Sequence, residues 1–274
     1  MKRLLHLWAV LAALEQMAAR HRPSLRAVLR LIDKATWRVL SGTDFLSSAN
    51  NLYLWSATSS TWSSGVTTQI GRLCSADLAP VSAFYNASTS TGYNGRIFLN
   101  GEEIGNEGRG FAWVATGADA GKVFELPHLG RYSIENLLAN PFLAGADANK
   151  TIVAGNDDST PGQVYVWVGN KSNTGTAIDK AGLTNGTLYG VKVTNGGANY
   201  ANAAVTRESA GAINGTFTLV APTFSTSNWG TTPGAAFQTA STTAGVTEFA
   251  RPEDGAWLNA STYVFNTTGA SIIP

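Results

Sequence analysis

Short runs of β-type residues, each bounded by turn residues, follow one another from about residue 50 onward. The clearest are NLYLWSA, GRIFLNG, GFAWVATG, GKVFELP, KTIVAG, QVYVWVG, TLYGVKVT, GTFTLVAP and STYVFNTT. Gly, Asn, Asp, Ser and Pro separate these runs and supply the turns between strands. Helical periodicity almost vanishes over the same stretch, so the pattern predicts an all-β fold built from hairpins. No strict repeat is visible, and periodicity alone therefore does not indicate a propeller.

Two segments depart from this pattern. Residues 195–247 are mostly Ala, Gly, Thr, Ser and Asn, which predicts a loop-rich insertion with weak strands at 215–220. Residues 23–37 have apolar residues at helical spacing and predict a helix. A hairpin over VLRLIDKATWRVL is the alternative for that segment.

The N-terminus is basic and partly apolar. MKRLLHLWAVLAALEQMAA has the outline of a secretory signal, but Glu15 and Gln16 fit poorly before a cleavage site. Residues 1–24 are signal-like, and the alternatives for the N-terminus are an amphipathic helix with Leu25, Val28, Leu29 and Ile32 at helical spacing, or a start codon placed within a longer gene. The apolar run is too short for a stable membrane span.

Charge and cysteine content narrow the function classes. Residues 1–38 hold eight Lys and Arg against Glu15 and Asp33, so the rest of the chain is mildly acidic, at −5. An acidic body argues against a nucleic-acid partner and is compatible with cation binding. The single cysteine, Cys74, excludes an internal disulfide, and a lone cysteine is most often a small buried hydrophobe. We expect a monomer.

Acidic residues cluster at or just past the ends of the β-type runs. They are Glu102 and Glu103 in RIFLNGEE, Glu135 in GRYSIEN, Asp157 and Asp158 after TIVAGN, and Glu253 and Asp254 in RPEDG. If those strand ends meet on one face, their carboxylates form the oxygen-rich site that Ca²⁺ prefers. Solvated turns are the alternative for each pair taken alone. With three histidines in the chain, a histidine-based metal site is not indicated.

The motifs RLCSADL, RIFLNGEE, ELPHLGRYSIEN, VAGNDDSTPGQVYVWVGNK and RPEDGAW occur in this order along the chain. Their order and spacing resemble the PhoX-type alkaline phosphatases, a family of secreted bacterial proteins. The resemblance spans roughly residues 25–265 and is strongest from 96 to 193. It implies a partial β-propeller over residues 25–274 that hydrolyses phosphate esters with calcium and iron in a central channel. It also implies a periplasmic or secreted location.

The same resemblance assigns roles to individual residues. Cys74 corresponds to an iron-ligating cysteine, although its context is less glycine-rich than in the family. The metal-ligating acids of the family correspond to Glu102, Glu103, Glu135, Asp157, Asp158 and Glu253. Arg251 corresponds to the arginine that faces phosphate, and with Glu253 it forms the Arg-x-Glu pair expected to carry catalysis. Ile134 stands where the family has histidine.

The chain stops soon after the Arg-x-Glu pair, whereas the family continues. The resemblance therefore implies a fragment that binds calcium weakly and hydrolyses phosphate esters poorly or not at all. Two other functions stay open. One is a secreted calcium-binding β module without catalysis. The other is a propeller hydrolase of the lactonase or phosphotriesterase type, which is disfavoured because His128 is the one histidine of the β region.

Overall fold

The computed structural model describes residues 28–33, 35–46, 48–195, 198–199, 215–226 and 233–268. Strands dominate these residues, with two α-helices and four single turns of 3₁₀-helix among them, so the predicted all-β fold is confirmed. None of the described helices is long and apolar enough to cross a bilayer. The segment predicted to be signal-like, 1–24, lies outside the described residues.

The first described element is an antiparallel hairpin of β1 (Val28–Ile32) and β2 (Val39–Asp44). The helix predicted over 23–37 is therefore wrong where the structure describes the chain, and the hairpin alternative is confirmed there. Asp33 explains the outcome, because its carboxylate accepts the backbone N–H groups of Ala35 and Thr36. Such a local bond favours a turn over continued helix.

A six-stranded sheet follows the hairpin. Its strands are β3 (Leu52–Ser56), β4 (Thr61–Ser63), β5 (Leu73–Leu78), β8 (Ile97–Glu102), β9 (Gly110–Val114) and β10 (Val123–Glu125), and a separate two-residue pair is formed by β6 (Tyr85–Asn86) and β7 (Thr91–Gly92). Strands β5, β8, β9 and β10 pair in chain order, each antiparallel to the next. Strand β3 joins β10 in parallel and carries β4 at the outer edge.

The second sheet repeats this arrangement. Its strands are β11 (Ile134–Ala139), β12 (Lys150–Asp157), β13 (Gly162–Asn170), β14 (Gly186–Asn195), β15 (Ala198–Asn199), β16 (Thr216–Val220) and β17 (Glu248–Phe249). Strands β11 to β14 again form an antiparallel four-stranded meander, which is the unit of a propeller blade. Strand β16 pairs with β14 and corresponds to the strand predicted at 215–220.

A third unit, the hairpin of β18 (Pro252–Trp257) and β19 (Tyr263–Thr267), packs against β11 and β12. The helices are α1 (Ala177–Lys180) and α2 (Pro233–Ala244). Helix α2 lies in the segment predicted to be loop-rich. It forms because Phe237 packs against the paired rings of Tyr132 and Tyr165, so tertiary packing stabilises a sequence with little helical pattern.

Close contact between the two sheets requires a glycine. A Cβ at Gly101 of β8 would lie 2.3 Å from Cγ2 of Ile134, the first residue of β11. Ile134 is fully buried at this contact. The isoleucine therefore serves the core, and strand β11 can lie directly against the first sheet.

This packing brings several strand ends to one edge of the molecule. Leu73 at the start of β5 pairs with Glu102 at the end of β8, and Ile134 at the start of β11 pairs with Asp157 at the end of β12. The start of β18 lies beside them, because Arg251 donates its backbone N–H to Ser159 just past β12. The acidic residues singled out in the sequence all lie at or near this edge.

Candidate functional site

Two groups of three side chains, each of a type that could ligate a metal ion, meet at this edge. Cys74, Glu103 and Glu135 place one ligand atom each within 4.8 Å of one another, and so do Glu135, Asp158 and Glu253. Glu135 belongs to both groups, so the five side chains form one continuous cluster. We call it the acidic cluster.

Cys74 begins the cluster from strand β5. The pairing of β5 with β8 is irregular between Leu73 and Ala76, and an irregularity of this kind re-aims side chains locally. Beside Cys74, the Ser75 hydroxyl donates to Glu135 at 2.6 Å. Partial burial of the sulfur, together with the neighbouring Glu135 and Glu103, raises the pKa of the Cys74 thiol to about 12. Cys74 is exposed and is not the buried hydrophobe that lone cysteines usually are.

Glu103 lies between the two halves of the cluster. Arg72 donates to its carboxylate at 2.5 Å, and the Arg72 side chain is 64% exposed whereas that of Glu103 is 10% exposed. Burial raises the pKa of Glu103, while its contacts with Cys74 and Arg72 act in the opposite direction and its contact with Asp158 adds to the rise. Glu103 thus connects the thiol to the carboxylates of the second group.

Arg251 covers the second group. Its Nε and Nη2 donate to the two carboxylate oxygens of Asp158 at 2.8 Å each, and Nη2 lies 3.1 Å from Glu253. Asp158 and Glu253 are largely buried, whereas the Arg251 side chain is 45% exposed. The guanidinium therefore stands between the carboxylates and solvent, where a dissolved anion can reach it.

The backbone at Arg251 has a conformation that is uncommon for a residue with a side chain. Its φ is +53°, in the left-handed region. Two backbone hydrogen bonds hold it there, from its own N–H to Ser159 and from the N–H of Thr268 to its carbonyl. The Thr268 hydroxyl also donates to the Glu253 carboxylate. Non-glycine residues of this kind concentrate at functional sites.

Glu102 lies outside the acidic cluster. Adjacent residues of a strand face opposite sides, and Glu102 faces away from Cys74. It is fully buried, and Arg109 donates to both of its oxygens, at 2.7 and 2.8 Å. The backbone N–H of Gly71 donates to it as well, at 2.6 Å. Its contacts are those of an internal ion pair that joins a loop to the first sheet.

Asp157 also lies outside the cluster. Its carboxylate is fully buried and accepts from the Ser159 hydroxyl at 2.8 Å, from the Ser133 N–H at 3.2 Å and from Gln238 of α2 at 3.3 Å. Burial raises the pKa of Asp157 to about 7, although these hydrogen bonds act against the rise. Asp157 and Asp158 are therefore tolerated side by side because their carboxylates face different surroundings.

The described ring contacts of His128 are with tryptophans and not with members of the acidic cluster. Its ring packs against Trp55, Trp62 and Trp167. Burial lowers the pKa of His128, which keeps the ring neutral among the indoles. The aromatic surroundings of His128 therefore do not favour a hydrolase site of the lactonase type at this histidine.

Three cluster partners had no assignment from the sequence. They are Arg72, Ser75 and Thr268, which bind Glu103, Glu135 and Glu253 respectively. Arg72 and Ser75 flank Cys74 inside the motif RLCSADL. Their position in that motif, close to Cys74, is the one sequence signal that could have identified them. Nothing in the pattern around Thr268 indicates its contact with Glu253.

No family model matches this chain, and no curated protein matches it. Among solved structures the chain is similar to PhoX of Pseudomonas fluorescens in complex with vanadate, a transition-state analogue. The match is 19% identical, covers 49% of this chain and 22% of that one, and has a TM-score of 0.34. A likeness of this size carries no inference about function.

Proposed function

We propose that the acidic cluster binds metal ions and that the bound form hydrolyses phosphomonoesters. The observation that carries the proposal is the sharing of Glu135 between two groups of ligand atoms, with Arg251 beside them. Ligand atoms on opposite sides of a calcium ion are about 4.6–5.2 Å apart, because each lies about 2.3–2.6 Å from the ion. The separations of up to 4.8 Å in each group fit this requirement.

The donor chemistry differs between the two groups. Cys74, Glu103 and Glu135 combine a thiol with two carboxylates, a set that suits iron. Glu135, Asp158 and Glu253 offer oxygen only, which suits calcium. The acids carry more negative charge than Arg72 and Arg251 neutralise, and bound cations would offset the excess.

The arginine supports a phosphate ester as the substrate. A guanidinium binds phosphate oxygens through the same two-pronged geometry with which Arg251 binds Asp158. When bound, the metal ions would neutralise the phosphate dianion and supply an activated oxygen nucleophile. Arg251 would orient the phosphate from the exposed side, and Thr268 would hold Glu253 in place.

Metal binding and phosphate release test the two parts of the proposal separately. Calcium and iron binding to the full chain is measured by calorimetry and elemental analysis, and hydrolysis of p-nitrophenyl phosphate is followed with and without a chelator. Glu135→Ala is the test variant and Asp147→Ala, an exposed acid in a short 3₁₀ turn, is the control. We expect wild type to bind calcium weakly and to release phosphate slowly, Glu135→Ala to lose metal and hydrolysis, and Asp147→Ala to match wild type in both.

Each contrary result has one meaning. Wild-type protein that binds neither ion would overturn the proposal, and the acids would then serve as partners of Arg72, Arg251 and the neighbouring hydroxyl groups. Metal binding without phosphate release would restrict the function to a calcium-binding β module. Hydrolysis that persists in chelator would exclude a role for the ions in catalysis.

A further inference from the structure

The hairpin that carries Arg251 and Glu253 is not part of either large sheet. Strands β18 and β19 pair with each other as a separate two-stranded sheet. A two-stranded hairpin is marginally stable by itself. The position of Glu253 in the acidic cluster therefore depends on contacts between this hairpin and the second sheet.

Two buried asparagines supply such contacts at Glu253 itself. Asn136 of β11 and Asn156 of β12 are directly opposite one another, and both are fully buried. Each side-chain amide donates to the backbone carbonyl of Glu253, Asn136 at 3.3 Å. Asn136 also donates to the Asp254 carboxylate at 3.0 Å. The carbonyl is thus fixed from two neighbouring strands, and the carboxylate of the same residue lies in the acidic cluster.

The side-chain carbonyl oxygens of the two asparagines indicate which of their groups is important. The side-chain carbonyl oxygens of Asn136 and Asn156 have no hydrogen-bond partner among the described residues. A buried acceptor without a partner is destabilising, because it gives up its hydrogen bonds to water. An apolar side chain of the same size would avoid that cost, so the N–H groups aimed at Glu253 account for the presence of amides here.

We propose that Asn136 and Asn156 are positioning residues that set the Glu253 carboxylate in the metal site by anchoring its backbone. This inference rests on the proposed function, because it assigns the two amides to support of a metal ligand. Outer partners that orient a ligand typically contribute about 10- to 100-fold to metal affinity.

The chain offers a matched control in Asn140, the residue that directly follows β11. This residue is also fully buried, and its amide donates to Ala260 at 3.1 Å and to Asn259 at 3.5 Å, in the turn between β18 and β19. It holds the same hairpin at the end away from Glu253. Replacing it weakens the docking of the hairpin without acting on the ligand directly.

The experiment compares three forms of the full chain. They are wild type, a double variant that combines Asn136→Leu and Asn156→Leu, and the control variant Asn140→Leu. Leucine keeps the approximate size and removes the donors. Calcium affinity is measured by calorimetry, thermal stability by circular dichroism, and hydrogen exchange of residues 252–257 and 258–262 by mass spectrometry without metal. We expect the double variant to bind calcium at least about tenfold more weakly and to exchange faster at 252–257. We expect Asn140→Leu to keep the wild-type affinity and to exchange faster at 258–262.

Equal calcium affinity in wild type and the double variant would overturn the inference and leave the proposed function intact. Equal loss of affinity in Asn140→Leu would also overturn it, because general docking of the hairpin would then explain the effect. If wild type binds no calcium, the proposed function fails, and unchanged exchange at 252–257 would show that the amides do not anchor the strand either. Should the double variant not fold, each single variant is tested, with an intermediate loss of affinity expected.

Discussion

Arg251 binds Asp158 through two parallel hydrogen bonds, from Nε to Oδ1 and from Nη2 to Oδ2, each 2.8 Å long. Asp158 is also one of the proposed calcium ligands. A carboxylate that already pairs with a guanidinium is less available to a metal ion, so the arginine and the ion compete for it. The same competition would leave Arg251 free to bind phosphate once the ion is present.

Replacing Arg251 by alanine is expected to change binding and catalysis in opposite directions. Calcium affinity rises severalfold because a competing cation is gone, while phosphate release from p-nitrophenyl phosphate falls about 100-fold, the usual cost of a lost charge-stabilising donor. Calorimetry and a phosphate assay measure the two effects. Arg251→Lys keeps the charge but not the two-pronged geometry. Its calcium affinity and its rate of phosphate release should each lie between those of wild type and Arg251→Ala. A parallel loss of affinity and rate would show that Arg251 only holds the hairpin.

Glu102 and Glu103 are adjacent but should respond differently to the same substitution. Glu102→Gln removes one partner of a buried ion pair with Arg109 and is expected to cost about 3 kcal/mol of unfolding free energy. Glu103→Gln should leave stability nearly unchanged and weaken metal binding. Urea unfolding and metal titration of both variants check this. Weaker metal binding in Glu102→Gln with unchanged stability would reverse the assignment.

Asp157 should make the stability of the metal-free protein depend on pH. Its pKa is raised from 3.8 to about 7 in the folded state, so the folded protein holds a proton that the unfolded chain releases. The contribution of Asp157 to the free energy of unfolding is therefore highest below pH 4. It falls as the pH rises towards 7 and is constant above that pH. The full effect is at most about 4 kcal/mol.

Asp157→Asn should remove this dependence, because the amide is neutral at every pH. Urea unfolding at pH 5 and pH 8 in the presence of chelator measures the difference. Asp147→Asn, at an exposed position, serves as the control and should follow wild type. Wild-type stability that rises over the same interval would contradict the prediction.

The two ligand groups should lose different metals when one end of the cluster is changed. Cys74→Ser is expected to abolish iron binding and leave calcium bound, because the second group contains oxygen ligands only. Glu253→Gln should weaken calcium and leave iron bound. Elemental analysis of protein loaded with both metals distinguishes these outcomes. Loss of both metals in each variant would indicate a single site.

The amino-acid pattern determined most of the inner strands of both sheets, and β19 of the third unit. All nine β-type runs of the sequence are strands in the structure, because their alternating and branched residues suit a pleated, partly buried surface. The strands that carry Cys74, Glu135 and Glu253 are different. Their polar residues interrupt the hydrophobic pattern, and no run identified β5, β11 or β18.

The acids themselves could be found from the sequence, since they stand at strand ends in a chain with few charges. Their partners could not, because Arg72 lies 31 residues from Glu103 and Thr268 lies 15 residues from Glu253. Helix α2 could not be predicted from the sequence either, because its stability comes from the packing of Phe237 on Tyr132 and Tyr165.

Only the tertiary structure decided which member of each acidic pair reaches the cluster. The sequence treats Glu102 and Glu103 alike, and likewise Asp157 and Asp158. In the fold, one member of each pair turns to internal partners and the other turns to the shared edge. Neighbouring side chains on a strand point to opposite faces, so the choice depends on the register of β8 and β12 against their partners. That register is fixed by contacts between residues far apart in the chain, which local sequence does not contain.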